Sequence, residues 1–301
     1  MISALSKDEA WPALPLAEWS ATYATLHMWT QIVGKVRLAL SPAVNHWWHV
    51  PLYVSARGLT TSAIPCPLGN FEIEFDFIEH VLRIATSRGE VKTMKLAPRS
   101  VADFYAEFFS TLASLGIHAK IWPMPVEIPN PIRFDHDTVH ASYDPAYANR
   151  CWRVLTSVDR ALKEFRGHFI GKASPVHFFW GSFDLAATRF SGRRAPERPG
   201  ADRMTREAYS HEVSSVGWWP GGGEVTEPMF YSYAAPAPEG FSEAAARPAQ
   251  TFYHRQLGEF LLPYDAVRTS SDPAATLMEF AQSTYEAAAN LAHWDRAVLE
   301  R

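Results

Sequence analysis

The segment from His177 to Arg189 carries the side chains best suited to chemistry. If it forms a strand, alternation places four side chains on one face, namely Trp180, Ser182, Asp184 and Thr188. A face that combines an indole, a hydroxyl and a carboxylate is unusual in a plain hydrophobic core, because buried polar groups need hydrogen-bonding partners or a ligand. The pattern indicates one wall of a ligand pocket, in which Trp180 and Ser182 bind the ligand and Asp184 is catalytic. The alternative is a structural ion pair between Asp184 and an arginine such as Arg189.

Histidines at the start of this segment and on a later strand supply candidate proton-transfer groups. The pair His211-Glu212 opens a later predicted strand that can face the same wall, and His177 precedes the pocket residues. Imidazole and carboxylate groups suit general acid–base catalysis, and two imidazoles with one carboxylate also suit a transition metal. We predict His177, His211 and Glu212 as catalytic candidates beside Asp184. They match no diagnostic metal motif, so a hydrogen-bonded structural role for each histidine stays open.

An aromatic segment at residues 46–49 places Trp47 and Trp48 directly before His49. Aromatic rings with a polar edge suit a flat ligand such as a nucleobase or a sugar ring. We predict that Trp47, Trp48 and His49 bind a ligand, and that this partner is a small aromatic or sugar-like molecule. The alternative places both tryptophans in the core and the histidines at its rim.

A second cluster of polar side chains lies in a proline-rich segment. Its members are chemically suited to a divalent metal: Asp135, His136, Asp137 and His140. The segment contains Pro123, Pro125, Pro129 and Pro131, which favours a solvated loop. The four residues are therefore weak metal candidates, and we assign no metal and no cofactor.

Hydrophobic periodicity and capping residues predict four long helices separated by strands. The helices begin near Ala17, Ser100, Asp144 and Asp272, where Asp144 and Asp272 each precede a proline. Strict alternation from Phe71 to Phe77 predicts a half-buried strand. Short connections after that strand imply antiparallel neighbours. Further strands are predicted at residues 47–55, 81–86, 91–96, 176–190, 211–219, 229–235 and 259–264.

The order of these elements predicts an α+β fold made of two similar halves. Each half has a helix, about four antiparallel strands and a closing helix, which indicates an internal duplication packed as one globule. We place the first half at residues 1–122, a proline-rich connector at 123–143 and the second half at 144–301. Two unrelated α+β halves that share a common pattern are the alternative.

Composition excludes several classes of function. The chain has 301 residues, with 28 basic and 32 acidic side chains, so it lacks the concentrated basic charge that nucleic-acid binding needs. No apolar run reaches the roughly 20 residues that span a bilayer. The two cysteines, Cys66 and Cys151, suit a reducing compartment. We therefore expect a cytoplasmic protein without nucleic-acid or membrane partners.

Several sequence runs resemble those of a bacterial family known only as a domain of unknown function. The most specific run is Ser174 to Leu185, and shorter ones are Leu26 to Gln31, Asn45 to His49 and Glu259 to Asp265. The resemblance covers nearly the whole chain and implies one full-length unit of bacterial type. It implies no activity, substrate or catalytic residue.

Two functions remain for such a chain. The first is a small-molecule-binding protein or acid–base enzyme with a pocket of aromatic, histidine and aspartate side chains. The second is a non-catalytic protein-interaction module, because catalytic motifs are lacking and three long proline-rich loops are predicted. The first function requires polar side chains from separate strands to line one cavity.

Overall fold

The four predicted long helices are present, and three of them start at the capping residues that the sequence supplies. The structure is a computed structural model that describes residues 5–301. Ser100, Asp144 and Asp272 each accept hydrogen bonds from backbone N–H groups in the first turn of the helix that follows. The helices in this range are α1 (Lys7–Ala10), α2 (Leu16–Leu40), α3 (Val101–Ser114), α4 (Pro145–Gly167), α5 (Arg203–Ala208), α6 (Tyr264–Arg268), α7 (Pro273–Leu291) and α8 (Arg296–Leu299).

The first antiparallel sheet is built around the alternating strand predicted from the phenylalanines. Its strands are β1 (Tyr53–Val54), β2 (Gly58–Thr60), β3 (Ile64–Cys66), β4 (Gly69–Asp76), β5 (Val81–Thr86) and β6 (Val91–Lys95). They lie in the order β1-β2-β4-β5-β6, and β3 also pairs with β4. Phe71, Ile73 and Phe75 of β4 are buried on one face, as the alternation predicts.

The second antiparallel sheet lies entirely in the C-terminal part of the chain. Its strands are β7 (His177–Phe179), β8 (Asp184–Arg194), β9 (His211–Trp219), β10 (Met229–Ala235), β11 (Phe252–His254) and β12 (Glu259–Pro263). Their order is β11-β12-β10-β9-β8-β7. The predicted α+β class is confirmed. The two sheets differ in strand order, so they do not confirm the predicted duplication.

Two predicted strands are interrupted by residues in left-handed backbone, one at its start and the other in its middle. His46 and Trp47, at φ 56° and 61°, lie in a 3-10 turn at Asn45–Trp47, so strand β1 starts only at Tyr53. The strand predicted across residues 176–190 is broken at Phe183, with φ 59°, and is the β7–β8 hairpin instead. The hairpin changes which side chains share a face. Cross-strand pairing brings Phe179 opposite Asp184.

A continuous core connects the two sheets through the long helix α2. Trp29, Ile32 and Val33 on this helix are fully buried, and they belong to one cluster with side chains from both sheets. Leu52 and Phe178 exchange two backbone hydrogen bonds, which join the edges of the sheets. The predicted boundaries at residues 122 and 144 remain a prediction. Within residues 5–301, no helix is both long enough and apolar enough to cross a membrane.

Candidate functional site

The second sheet has one face in the main core and one face that forms the floor of a cavity. Helix α4 contacts β8, and α7 contacts β9 and β10, so Leu185 and Trp218 are buried beneath these helices. Alternation turns the intervening side chains to the other face. There they line a cavity of about 540 Å³ whose floor contains Asp184, Ala186, Thr188, Ser215, Tyr231 and Tyr233.

Asp184 is a buried acid in this cavity. Its carboxylate accepts hydrogen bonds from the Ser182 hydroxyl and the Tyr231 hydroxyl. Burial raises the pKa of Asp184 to about 6, and the two hydrogen bonds offset only part of this effect. Within residues 5–301 no basic side chain forms an ion pair with Asp184. The alternative partner, Arg189, lies on the opposite face of β8 with its guanidinium 3.4 Å from the centre of the Phe165 ring.

Two further carboxyl groups line the same cavity, and the sequence patterns did not indicate either of them. Glu127 comes from the connector, is exposed at the mouth of the cavity, and has a raised pKa because the walls partly desolvate it. Glu259 comes from β12. Burial raises the pKa of Glu259 to about 7, and the negative charge of Asp184 adds to this rise. Three acidic groups from three separate segments therefore share one cavity.

Buried polar side chains of α2 hold the segments that carry Ser182 and Glu127. The His27 Nε2 atom lies 2.9 Å from the Gly181 carbonyl oxygen. A carbonyl only accepts hydrogen bonds, so Nε2 carries the proton. Gln31 donates to the Val126 carbonyl at 2.9 Å and accepts from the Val126 N–H at 2.8 Å. The helix thus fixes the β7–β8 turn and the connector beside the cavity.

Gly217 makes room for the Tyr231–Asp184 hydrogen bond. It lies between the strands that carry these residues, paired with Tyr231 on one side and Ala186 on the other. A Cβ atom at this position would lie 2.5 Å from the Tyr231 hydroxyl and 2.6 Å from the Leu185 carbonyl oxygen. The phenol therefore crosses β9 only because residue 217 has no side chain.

We expect Gly217→Ala to displace Tyr231 and to destabilise the fold by about 1–3 kcal/mol, because one of the clashing atoms is backbone. Denaturant unfolding and the environment of the Tyr231 ring, followed by NMR, measure both effects. Gly222→Ala in the next turn is the matched control, since its nearest contact is the Trp219 ring at 3.3 Å. Equal stability of the two variants would contradict this account.

Comparison with known proteins gives the family of this chain. A model described as "Family of unknown function (DUF5996)" matches residues 11–301. The chain belongs to this family. The match agrees with the resemblance to a full-length domain of unknown function. No curated protein and no solved structure shows a significant match.

The end of the cavity away from Asp184 is formed by the 3-10 turn and α5. His46 and Trp48 line it, and the His46 Nδ1 atom lies 3.2 Å from the carbonyl oxygens of Glu207 and Ala208. Nδ1 therefore carries the proton, and Nε2 accepts a hydrogen bond from Lys172 at 2.6 Å. Burial and the nearby lysine lower the pKa of His46, which favours the neutral imidazole.

The structure brings only some of the predicted site residues to this cavity. Ser182, Asp184 and Trp48 line it. The Trp180 side chain lies on α2 instead, where its Nε1 atom donates to the Val50 carbonyl at 2.9 Å. The reason is the β7–β8 turn, which separates Trp180 from the face of Asp184.

His177 is buried behind Trp48, with its ring centre 6.0 Å from that of the indole. Neither ring nitrogen has a hydrogen-bond partner among the described residues, and desolvation lowers the pKa of His177 to about 3. The imidazole is therefore neutral. Since it does not line the cavity, its predicted place beside Asp184 is not observed.

The other predicted residues lie outside the cavity as well. His211 is a neighbour of His46, with ring centres 5.6 Å apart, whereas Glu212 forms an ion pair with Arg193 at 2.7 Å. Trp47 and His49 pack on each other, with ring centres 5.4 Å apart. Neither lines the cavity, although Trp48 between them does.

The four weak metal candidates have other partners or lie apart. Asp135 pairs with Arg133 at 2.8 Å, and Asp137 is fully buried, accepting a hydrogen bond from His140 at 2.7 Å. His136 lies in a short 3-10 turn between them. Across residues 5–301, no group of three or more histidine, cysteine or acidic side chains is arranged to hold a metal ion.

Proposed function

We propose that this chain binds a small organic molecule in the cavity on the second sheet and that Asp184 can exchange a proton with it. The observation that carries the proposal is the placement of the Asp184–Tyr231 pair inside an aromatic cavity, with Glu127 and Glu259 beside it. A cavity of about 540 Å³ is within the range that small-molecule sites occupy.

The acid–base part of the proposal follows from the environment of Asp184. A carboxyl group with a pKa of about 6 is present in both protonation states near neutral pH, which suits general acid or base catalysis. Tyr231 and Ser182 orient the two oxygen atoms. The histidines that we predicted for this role do not contact Asp184, so proton transfer is assigned to the carboxyl group.

The cellular compartment and the source of the protein are also part of the proposal. Cys66 and Cys151 are unpaired, which supports a reducing compartment and hence the cytoplasm. A bacterial source is proposed on the resemblance of the sequence runs.

We expect ligands found by a thermal-shift screen of amines, sugars and aromatic compounds to bind the native chain and to lose binding in Ala186→Leu. The added branch fills the floor of the cavity, where Ala186 is buried. Native mass spectrometry of protein purified from cells tests for a ligand that is already bound. For a ligand that is turned over, Asp184→Asn should reduce turnover by about 10²–10⁴-fold.

The matched control is Ala85→Leu, at a half-buried strand position of the first sheet. Near-UV circular dichroism verifies that both variants are folded. Binding that persists in Ala186→Leu would show that the ligands bind elsewhere. A screen without any binder, together with a ligand-free mass spectrum, would contradict the proposal.

A further inference from the structure

We infer that the ligand of the cavity carries a positively charged amine or quaternary ammonium group, held beside Asp184 against the aromatic rings. This inference rests on the proposed function, because it names the chemistry of a molecule in the same cavity. Two independent features support it: the acidic groups lack a counter-charge, and aromatic residues line the walls.

The first feature is the uncompensated negative charge. Asp184 is 6% exposed, and its interactions with the charges of Glu127 and Glu259 are repulsive. None of these three groups forms an ion pair with a described residue. The other buried aspartates within residues 5–301, at positions 76, 137 and 159, each have a basic partner, as Asp76 has in Arg57 at 2.5 Å. Because buried charges are normally paired, a cationic ligand would complete this site.

The second feature is the aromatic wall around these carboxyl groups. Tyr231 and Tyr233 are stacked with ring centres 6.3 Å apart and planes 11° from parallel. Phe179 and Trp219 line the same cavity. The face of an aromatic ring attracts a cation, most strongly where water is excluded. Carboxylates and aromatic rings together therefore favour an organic cation over a neutral or anionic molecule.

In the described part of the chain, basic side chains near the cavity form no ion pair with Asp184; Arg198, for example, lies on the Tyr209 ring, with its guanidinium 4.3 Å from the ring centre. Lys172 is next to Phe190, with its Nζ atom 5.1 Å from the ring centre. Phe190 and Asp184 lie six positions apart on β8, a separation of about 20 Å along an extended strand. His46, at the same end as Lys172, has a lowered pKa. The two ends of the cavity thus differ in charge.

Three probes of similar size separate charge from shape: benzylamine, benzyltrimethylammonium and benzyl alcohol. We expect both cations to bind the native chain at least about tenfold more tightly than the alcohol. In Asp184→Asn, the affinity for the cations should fall about tenfold while that for the alcohol stays within about twofold. Tryptophan fluorescence and ligand-observed NMR measure the dissociation constants. Trp48 and Trp219 report directly, since both line the cavity.

Asp8→Asn, an exposed aspartate on α1, controls for the change in net charge. Equal affinities of the three probes, or a cation preference that survives in Asp184→Asn, would overturn the inference. If the cation inference fails in this way but Ala186→Leu still abolishes the binding of benzyl alcohol, the proposed function holds. If no probe binds at about 10 mM, the cation inference falls. The thermal-shift screen then decides the proposed function separately.

Discussion

Asp184→Asn is expected to raise the free energy of unfolding above about pH 6, by up to about 3 kcal/mol, and to leave it nearly unchanged near pH 4. Burial is the cause, since it raises the pKa of the folded-state carboxyl group to about 6, from an ordinary value near 4. The native chain therefore keeps a group that is unfavourable for folding at neutral pH. Such a cost is typical of a functional site.

The sign follows from proton binding in the two states. Below about pH 4, Asp184 is protonated in both the folded and the unfolded chain, so ionisation costs nothing. As the pH rises towards 6, the unfolded chain releases the proton while the folded chain retains it, and stability falls. Above about pH 6 the loss is complete. Glu259, with its pKa raised to about 7, extends the same trend to higher pH.

Asparagine preserves the hydrogen bonds because a hydroxyl group can both donate and accept. In Asp184→Asn, the side-chain amide can accept a hydrogen bond from Tyr231 and donate one to Ser182, or the reverse. Urea unfolding at a series of pH values, with Asp8→Asn as the control for net charge, measures the difference between variant and native chain. A variant that is less stable than the native chain at about pH 8 would show that the carboxylate stabilises the fold.

Gly34→Ala is expected to destabilise the fold by about 3 kcal/mol, although alanine favours a helix over glycine by about 1 kcal/mol. A Cβ atom at Gly34 of α2 would lie 2.3 Å from the Trp180 indole. The indole cannot easily move, because its N–H group bonds to the Val50 carbonyl. Overpacking at this point would also shift the β7–β8 turn, which carries Ser182.

Gly167→Ala is the matched control for this substitution. Gly167 is also helical, at the end of α4, but no atom lies within 4 Å of its ideal Cβ position. We expect Gly167→Ala to leave stability unchanged or to raise it by up to about 1 kcal/mol. Guanidinium unfolding followed by circular dichroism compares the two variants. A Gly34→Ala chain as stable as Gly167→Ala would contradict the close packing of Trp180 on α2.

Local patterns were sufficient for the four long helices and for three strands of the first sheet. The caps at Ser100, Asp144 and Asp272 are contained in a few consecutive residues, and the start of a helix depends mainly on them. The alternation from Phe71 to Phe77 likewise predicts a strand with one buried face. The strand predicted at residues 47–55 failed at its start and the one at 176–190 was broken at Phe183, because a left-handed residue is not visible in a hydrophobic pattern.

The composition of the candidate site was only partly predictable. Ser182 and Asp184 were identified as polar residues on an otherwise apolar segment, and the structure places both at the cavity. Glu127 gave no signal, because a glutamate in a proline-rich connector resembles any solvated residue. Tyr231 appeared to be an ordinary strand residue, since its contact with Asp184 depends on Gly217 in the strand between them.

The sequence by itself determined the α+β class, the long helices and the polar residues of one segment, because these depend on neighbours within a few positions. Only the tertiary structure decided which face of each strand is turned away from the core and which acidic side chains line the same cavity. The three acidic residues of the cavity, Asp184, Glu127 and Glu259, come from segments far apart in the chain. The strand order of the sheet and the hydrogen bonds from α2 to the connector bring these segments together. Their pKa values are raised because they share one cavity, since desolvation and mutual repulsion exist only when the chain is folded.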